Sequence, residues 1–229
     1  MSEPRLSKAV ASCSHAVVCF ALLSSIESVA VQVVPPSSVS IVREGKSNWR
    51  IASPSLDKPE ARWATGELQK YIRRMSGCGL LIVEDAATSP TIVVGLRESL
   101  APSDQALLPA AAKGYDGYAV AVRAENNGCP ARIVLAGDNS RGMIYGAYDL
   151  LERLGCRWCY PAQDSSDIEV VPKETTLALS AGGWSVASPM RFRICNGSAW
   201  FFDLDLENAR KQLDWGMKNR YNAIGWQGE

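Results

Sequence analysis

Histidine is almost absent from the 229-residue sequence, which contains only His15. This residue lies in an apolar run, Ala9 to Ser25, which follows two basic residues and precedes the small residues Ser28-Val29-Ala30. A positive start, an apolar stretch and small residues before a cleavage point are typical of a secretory signal peptide. An uncleaved anchor has a similar pattern, but this run is shorter than the roughly 20 apolar residues that span a bilayer. We therefore expect cleavage after Ala30 and a mature protein that is secreted or periplasmic.

The lack of histidine restricts the chemistry of the mature chain, because residues 31–229 contain none. A Ser-His-Asp or Cys-His nucleophilic site is excluded within this chain, and so is zinc held by imidazole. The run Asp203-Leu-Asp205-Leu-Glu207 lacks the glycine and the ligand order of a calcium loop. Gly137 to Gly142 precedes a predicted helix but matches neither a G-x-G-x-x-G nor a Walker sequence. We expect no metal and no cofactor.

A net charge is also missing, since 24 basic and 24 acidic residues give a formal charge of zero. No basic stretch is interleaved with aromatic residues, so the sequence does not indicate a nucleic-acid partner. After removal of the signal peptide, the charge pattern does not indicate a membrane surface either.

The cysteines that remain after the signal peptide are odd in number, which leaves at least one thiol free or paired between chains. They are Cys78, Cys129, Cys156, Cys159 and Cys195. Cys156-Arg-Trp-Cys159 has the C-x-x-C spacing of redox proteins, but it follows a predicted helix, whereas thiol activation favours the first turn of a helix. In a strand, residues three apart point to opposite faces. We interpret Cys156 as a small buried hydrophobe, with a thiol protein as an alternative.

The stretch from Gly137 to Pro161 has the strongest pattern in the chain. It predicts an amphipathic helix capped by Ser140 or Asn139, a glycine stop at Gly155 and a short strand around Trp158. Another helix is predicted from Asp57-Lys-Pro-Glu60 to Ser76-Gly77. Apolar runs predict the strands Val39–Val42, Arg50–Ala52, Leu80–Val83, Thr91–Val94, Gly117–Ala124, Arg132–Ala136, Glu169–Pro172 and Thr176–Leu179.

The pattern changes at Ala181-Gly182-Gly183, which we take as a domain boundary. Beyond it, a strand at Arg191–Ile194, a helix at Leu206–Arg220 and a strand at Asn222–Trp226 form a β-α-β unit. Such a unit buries its strands only in a larger parallel sheet. A (β/α)₈ barrel needs about 250 residues, whereas 41 remain from Pro189. The sequence therefore looks like the start of a truncated barrel.

Ordered motifs add a family resemblance. The sequence contains, in order, E-L-x-x-Y-I-x-x-M-S-G at 67–77, I-V-V-G at 92–95, G-Y-D-G-Y at 114–118, the run from Arg141 to Trp158, and E-V-V-P at 169–172. Together they resemble the N-terminal domain of alpha-glucuronidase-type glycoside hydrolases, and the layout is similar to the domain that precedes the barrel in beta-hexosaminidases. The resemblance implies an exported carbohydrate-active enzyme with a (β/α)₈ catalytic barrel.

The expected architecture is α/β (α+β): a two-layer sheet-plus-helices accessory domain followed by the first β-α-β of a truncated barrel. We divide the chain into a signal peptide (1–30), a glycoside-hydrolase N-terminal accessory domain (31–180) and the start of the barrel (189–229). The catalytic carboxylates of similar enzymes come from later strands, so we assign no catalytic residue within this chain. A carbohydrate is the expected partner.

Barrel active sites form at the carboxyl ends of the strands. The residue types there that hold sugars are an amide, carboxylates and indoles, namely Asn196, Trp200, Asp203, Trp226 and Glu229. Asp203 and Asp205 also suit helix capping, and the two tryptophans also suit barrel packing. We expect ion-paired structural roles for Arg191, Arg193 and Arg220. The alternative to a hydrolase fragment is a noncatalytic carbohydrate-binding or interaction module.

Overall fold

The computed structural model describes residues 37–85, 88–160, 168–197 and 206–226. The predicted signal peptide lies outside these ranges. The helices are α1 (Pro59–Ser76), α2 (Pro102–Gln105), α3 (Ser140–Arg153) and α4 (Leu206–Lys218). The strands are β1 (Ser38–Val42), β2 (Arg50–Ala52), β3 (Leu81–Val83), β4 (Thr91–Leu96), β5 (Tyr115–Arg123), β6 (Arg132–Gly137), β7 (Arg157–Tyr160), β8 (Ile168–Val170), β9 (Leu177–Ser180), β10 (Gly182–Ser188), β11 (Ile194–Gly197) and β12 (Ala223–Trp226).

A mixed six-stranded sheet in the order β10-β5-β6-β4-β2-β3 forms the centre of the described fold. β3, β2, β4 and β6 are parallel, whereas β5 and β10 are antiparallel to their neighbours. Residues 92–94 of β4 and 133–135 of β6 are all buried, because both faces of these strands are covered. Helices α1 and α3 cover one face, and leucines of the segment after β4 pack against the other. The predicted α/β class is confirmed.

Helix α3 begins as the sequence predicts. The side chain of Asn139 accepts a hydrogen bond of 2.8 Å from the backbone N–H of Gly142 and so caps the helix. The sequence predicts an apolar stripe of Ile144, Ala147, Tyr148, Leu151 and Leu154 along α3; the first four are buried and Leu154 is partly buried. Gly155 follows the helix at a φ of 104°, which favours glycine.

Helix α1 ends at Gly77, which has a left-handed φ of 77° and donates its N–H to the Arg73 carbonyl. Its start differs from the prediction. The N-cap is Lys58, with no side-chain cap, and Pro59 occupies the first turn. Asp57 therefore does not cap this helix. The fixed φ of proline at this position is sufficient to begin it.

Strand β7, which corresponds to the strand predicted around Trp158, does not join the central sheet. It pairs antiparallel with β8, where Trp158 lies opposite Glu169. The Trp158 indole is buried against helix α1, at 5.4 Å between ring centroids from Tyr71. Burial of this large ring beneath the helices, rather than extension of the sheet, determines the course of the chain here.

Strand β10 was not predicted. It pairs with β5 at the edge of the central sheet, from Gly182 opposite Val122 to Ser188 opposite Tyr115. The sheet therefore continues past the glycines that we took as a boundary. In the sequence, two adjacent glycines resemble a break between elements. In the structure they belong to the strand: Gly182 adopts a φ of 141°, and Gly183 packs against Pro109.

The β-α-β unit is confirmed. Strands β11 and β12 pair in parallel, with Ile194 opposite Ala223, and α4 connects them. Strand β11 begins three residues later than the start predicted at Arg191, and α4 ends at Lys218 rather than Arg220. Leu213 of α4 is 53% exposed, whereas Trp215 and Met217 pack against the main core.

Candidate functional site

The carboxyl ends of β11 and β12 lie side by side. Asn196 pairs with Gly225 and Gly197 pairs with Trp226, so the structure brings the backbones of two predicted site residues together. The other three, Trp200, Asp203 and Glu229, lie outside the described residues, as does Asp205. Parallel strands present their carboxyl ends at one edge, which is where barrel enzymes place their substrates.

The opposite, amino ends of these strands meet a buried carboxylate, Asp116, whose side chain is 2% exposed. Its Oδ2 accepts hydrogen bonds from Arg193 Nη2 at 2.6 Å and from Asn222 Nδ2 at 3.1 Å. Its Oδ1 accepts from Arg141 Nε at 3.0 Å and from Asn139 Nδ2 at 3.1 Å. Burial alone would raise the pKa of Asp116, but these hydrogen bonds outweigh burial and lower that pKa.

A second carboxylate, Glu169 of β8, receives three donors. Tyr71 Oη donates to Oε1 at 2.7 Å, Arg74 Nη1 donates to Oε2 at 2.6 Å, and Lys218 Nζ donates to Oε1 at 3.0 Å. Burial opposes ionisation, yet the hydrogen bonds outweigh it and lower the pKa of Glu169 to about 2. The Lys218 side chain is only 5% exposed, and Asp214 also pairs with it at 2.6 Å. This group is therefore a fixed ion network, not a proton donor.

A third network surrounds Arg220. Its Nη2 lies 2.5 Å from Glu152 Oε2 and 3.3 Å from Asp149 Oδ1. Asp149 also accepts 2.6 Å and 3.1 Å hydrogen bonds from Trp184 Nε1 and Arg153 Nε. The ion pairing expected of Arg193 and Arg220 is thus observed, while Arg191 lies with its guanidinium 5.3 Å from the Phe192 ring centroid.

The C-x-x-C thiols point to opposite environments. Cys156 is fully buried, with its Sγ 3.7 Å from Met75 Sδ, and Cys159 is exposed. Desolvation raises the pKa of Cys156 to about 11, the reverse of what a reactive thiol requires. The interpretation of Cys156 as a small buried hydrophobe is confirmed.

Within the described residues, no group of three or more histidine, cysteine or acidic side chains could hold a metal. In the same part of the chain, no helix is long and apolar enough to cross a membrane.

Two open grooves lie beside the ion networks. One, of about 520 Å³, runs between α3 and α4 and is largely apolar, with Ile144, Leu213 and Met217 in its walls. The other, of about 620 Å³, lies at the end of α1 and is lined by the cations Lys70, Arg73, Arg74 and Lys173. Lys70 and Arg74 also pair with Glu67 and Glu169, so the positive charge that this groove offers an acidic ligand is smaller than its four cations would give.

The sequence did not predict that Asp116, Glu169 and Lys218 take part in the contacts between the β11-α4-β12 unit and the rest of the fold, which we call the junction. Glu169 and Lys218 are 49 residues apart, and Asp116 and Arg193 are 77 residues apart. Local periodicity cannot report such pairs. One available signal was the position of Asp116 and Glu169 inside motifs that carry the family resemblance, at sites where an apolar strand would place a hydrophobe.

The sequence matches the family described as glycosyl hydrolase family 67 N-terminus over residues 36–150, which is 115 of the 229 residues. No curated protein sequence matches the chain.

Solved structures with a similar fold include a family GH115 4-O-methyl-alpha-glucuronidase, BtGH115A, with specificity for decorated arabinogalactans. The TM-score is 0.56 at 16% identity, and the match covers 82% of this chain and 25% of that one. A beta-hexosaminidase from Streptomyces plicatus and a GH20 beta-N-acetylhexosaminidase from Streptomyces coelicolor A3(2) each match with a TM-score of 0.51 at 13% identity, over 83% of this chain and 32% of theirs. The chain thus spans a quarter to a third of these proteins. At such identities the likeness shows the fold alone.

Proposed function

The chain belongs to the family of the glycosyl hydrolase family 67 N-terminus, and we propose that it is the N-terminal portion of an exported, alpha-glucuronidase-like glycoside hydrolase. Its substrate class would be a uronic-acid-containing carbohydrate. The observation that carries this proposal is the parallel β11-α4-β12 unit, which lies C-terminal to the matched family domain and pairs its strands as a (β/α)₈ barrel does. Asn196 and Trp226, at the carboxyl ends of this pair, are the proposed sugar-binding residues, with Trp200, Asp203 and Glu229.

The catalytic carboxylates would come from barrel strands beyond this chain. Glycoside hydrolysis uses a carboxyl pair in which the acid has a raised pKa. Asp116 and Glu169 have lowered pKa values and accept hydrogen bonds from both cationic and neutral side chains, which suits a structural role. This supports the proposal that Asp116 and Glu169 do not form the acid–base pair.

The test uses the complete product of the reading frame, translated to its natural stop codon. We expect release of glucuronic acid from short aldouronic acids, measured by chromatography, and no hydrolysis by residues 1–229 alone. An aryl N-acetyl-beta-glucosaminide serves as the comparison substrate. Hydrolysis of that compound only, or a stop codon directly after Glu229, would contradict the proposal.

The export part of the proposal has a separate test. N-terminal sequencing of the protein recovered from the medium or the periplasm should begin at Val31, the residue after the predicted cleavage point. Recovery of the intact N-terminus, including His15, in a membrane fraction would contradict cleavage.

A second candidate function is a noncatalytic module that binds acidic carbohydrate. The groove lined by Lys70, Arg73, Arg74 and Lys173 favours it. Calorimetric titration with uronic-acid oligosaccharides tests this candidate, with neutral oligosaccharides of equal length as the control. Equal heats for both series, or none, would remove it.

A further inference from the structure

Four acidic residues of the accessory domain contact cations of the β11-α4-β12 segment, and we call them together the acidic face: Asp116 of β5, Asp149 and Glu152 of α3, and Glu169 of β8. We propose that the acidic face is a docking surface for the β11-α4-β12 unit, and that Asp116 is the positioning residue for its two strands. This positioning role does not depend on which substrate is bound, so its test uses no sugar.

Cations of the β11-α4-β12 segment contact these carboxylates, which Arg74, Arg141 and Arg153 of the accessory domain contact as well. The β11-α4-β12 segment contributes three cations, Arg193, Lys218 and Arg220, and each lies on a carboxylate of the acidic face at 2.5 to 3.0 Å. Lys218 and Arg193 are 5% and 12% exposed, so these contacts are shielded from solvent and are weakly screened by salt. Three ion contacts at separate positions define the orientation of the β11-α4-β12 segment, whereas a single contact would not.

Asp116 contacts the residue immediately before each of the two strands. Arg193 directly precedes β11 and Asn222 directly precedes β12, and both donate to the same oxygen, Oδ2. Asn222 Oδ1 also accepts from the Arg193 backbone N–H at 2.8 Å. One carboxylate of the accessory domain therefore holds the two strand starts in their parallel register.

Two residues that make these contacts have strained backbone conformations. Asp116 has a φ of 52° and Arg220 a φ of 65°, in the left-handed region that disfavours residues other than glycine. Both residues direct their side chains into the junction. Strain of this kind persists where the surrounding contacts determine the conformation, which is consistent with a dedicated docking surface.

Neutral contacts reinforce the ion pairs at the same junction. Trp215 Nε1 and Asn219 Nδ2 both donate to the Trp158 carbonyl, at 3.2 Å and 3.1 Å, and Tyr145 Oη donates to the Tyr221 carbonyl at 3.0 Å. Tyr71, Asp116, Asp149, Glu152, Trp158 and Glu169 all stand in the motifs that carry the family resemblance.

The contacts at the amino ends of β11 and β12 also affect the position of their carboxyl ends. Asp116 fixes the amino ends of β11 and β12, and the proposed sugar-binding residues Asn196 and Trp226 follow a few residues later along the same strands. The accessory domain therefore sets the position of the candidate site without contributing a side chain to it.

Hydrogen exchange measured by mass spectrometry tests the proposal on the full 229-residue chain. Asp116→Asn keeps the size of the side chain and removes its charge. We expect at least tenfold faster exchange in peptides covering residues 206–226, with unchanged exchange in β4 and β6. Asp138→Asn is the matched control, because Asp138 is a neighbouring carboxylate whose partner is Arg97 of the accessory domain.

A uniform increase in the exchange rate that includes β4 and β6, or no increase in the exchange rate of residues 206–226, would overturn the proposal. Arg193→Gln approaches the contact from the other side and keeps the test valid if the Asp116 variant does not fold. It should produce the same local increase, and the double variant should match the single variants within about twofold. An additive effect would mean that the two residues do not act through one contact.

Discussion

Replacing Glu169 by glutamine tests how much the second ion network contributes to stability. The folded-state pKa of Glu169 is lowered from 4.5 to about 2, so its ionisation stabilises the fold above pH 4.5. At 1.36 kcal/mol for each pKa unit the full shift corresponds to about 3 kcal/mol. Arg74, one of the partners, is 42% exposed, so solvent screening reduces this contribution. We expect Glu169→Gln to lower the free energy of unfolding by about 1.5 kcal/mol at pH 7.

The pH dependence of the free energy of unfolding shows whether the contribution of Glu169 is electrostatic. A carboxylate with a lowered folded-state pKa loses its contribution as the pH falls from 4.5 through 2, because the unfolded state takes up the proton first. The difference between wild type and Glu169→Gln, measured by urea unfolding, should shrink by more than half between pH 7 and pH 3. Glu84→Gln, outside the network, provides the control. A difference that stays constant from pH 7 to pH 3 would refute the electrostatic explanation.

Two further predictions concern packing. A Cβ at Gly142 would lie 2.1 Å from the Gly117 carbonyl oxygen, so Gly142→Ala should separate α3 from β5 and lower the unfolding free energy by about 3 kcal/mol, whereas Gly66→Ala, with open space around it, should be neutral or stabilising. Equal urea midpoints for the two variants would contradict this. Cys159 should react with a thiol reagent at pH 8 in the folded protein, and Cys156 only on unfolding, because burial raises its pKa to about 11. Equal labelling rates for the two thiols would disprove the assignment of Cys156 to the core.

Periodicity and turn chemistry were sufficient for most elements of the fold. Helices α1 and α3, the β5–β6 hairpin and the β11-α4-β12 unit were all predicted, because each has a local pattern that its own sequence carries. Strand β10 was not, since Gly182-Gly183 resembles a break and the strand forms only by pairing with β5. The start of α1 was misassigned because Asp57 has the composition of a cap without its geometry.

The candidate site was predictable only in part. The strand ends at Asn196 and Trp226 follow from the general geometry of barrels. The junction does not follow from any local pattern, because its contacts join residues that are distant in sequence. Asp149 and Glu152 show the difficulty, since the apolar stripe of α3 places them on the side opposite the core. That side meets Arg220 and Trp184 rather than only water.

Helix α3 is therefore constrained on two sides, and this accounts for its composition. Its glycines face β5, where Gly142 and Gly146 approach the backbone of Gly117 and the ring of Tyr118. Its acids face the β11-α4-β12 unit. A helix that only covered a sheet would need one apolar stripe, with a freely variable polar side. Because α3 also forms part of the acidic face, substitutions such as Glu152→Lys on its apparently solvent-facing side should disturb the position of β12 while leaving the central sheet intact.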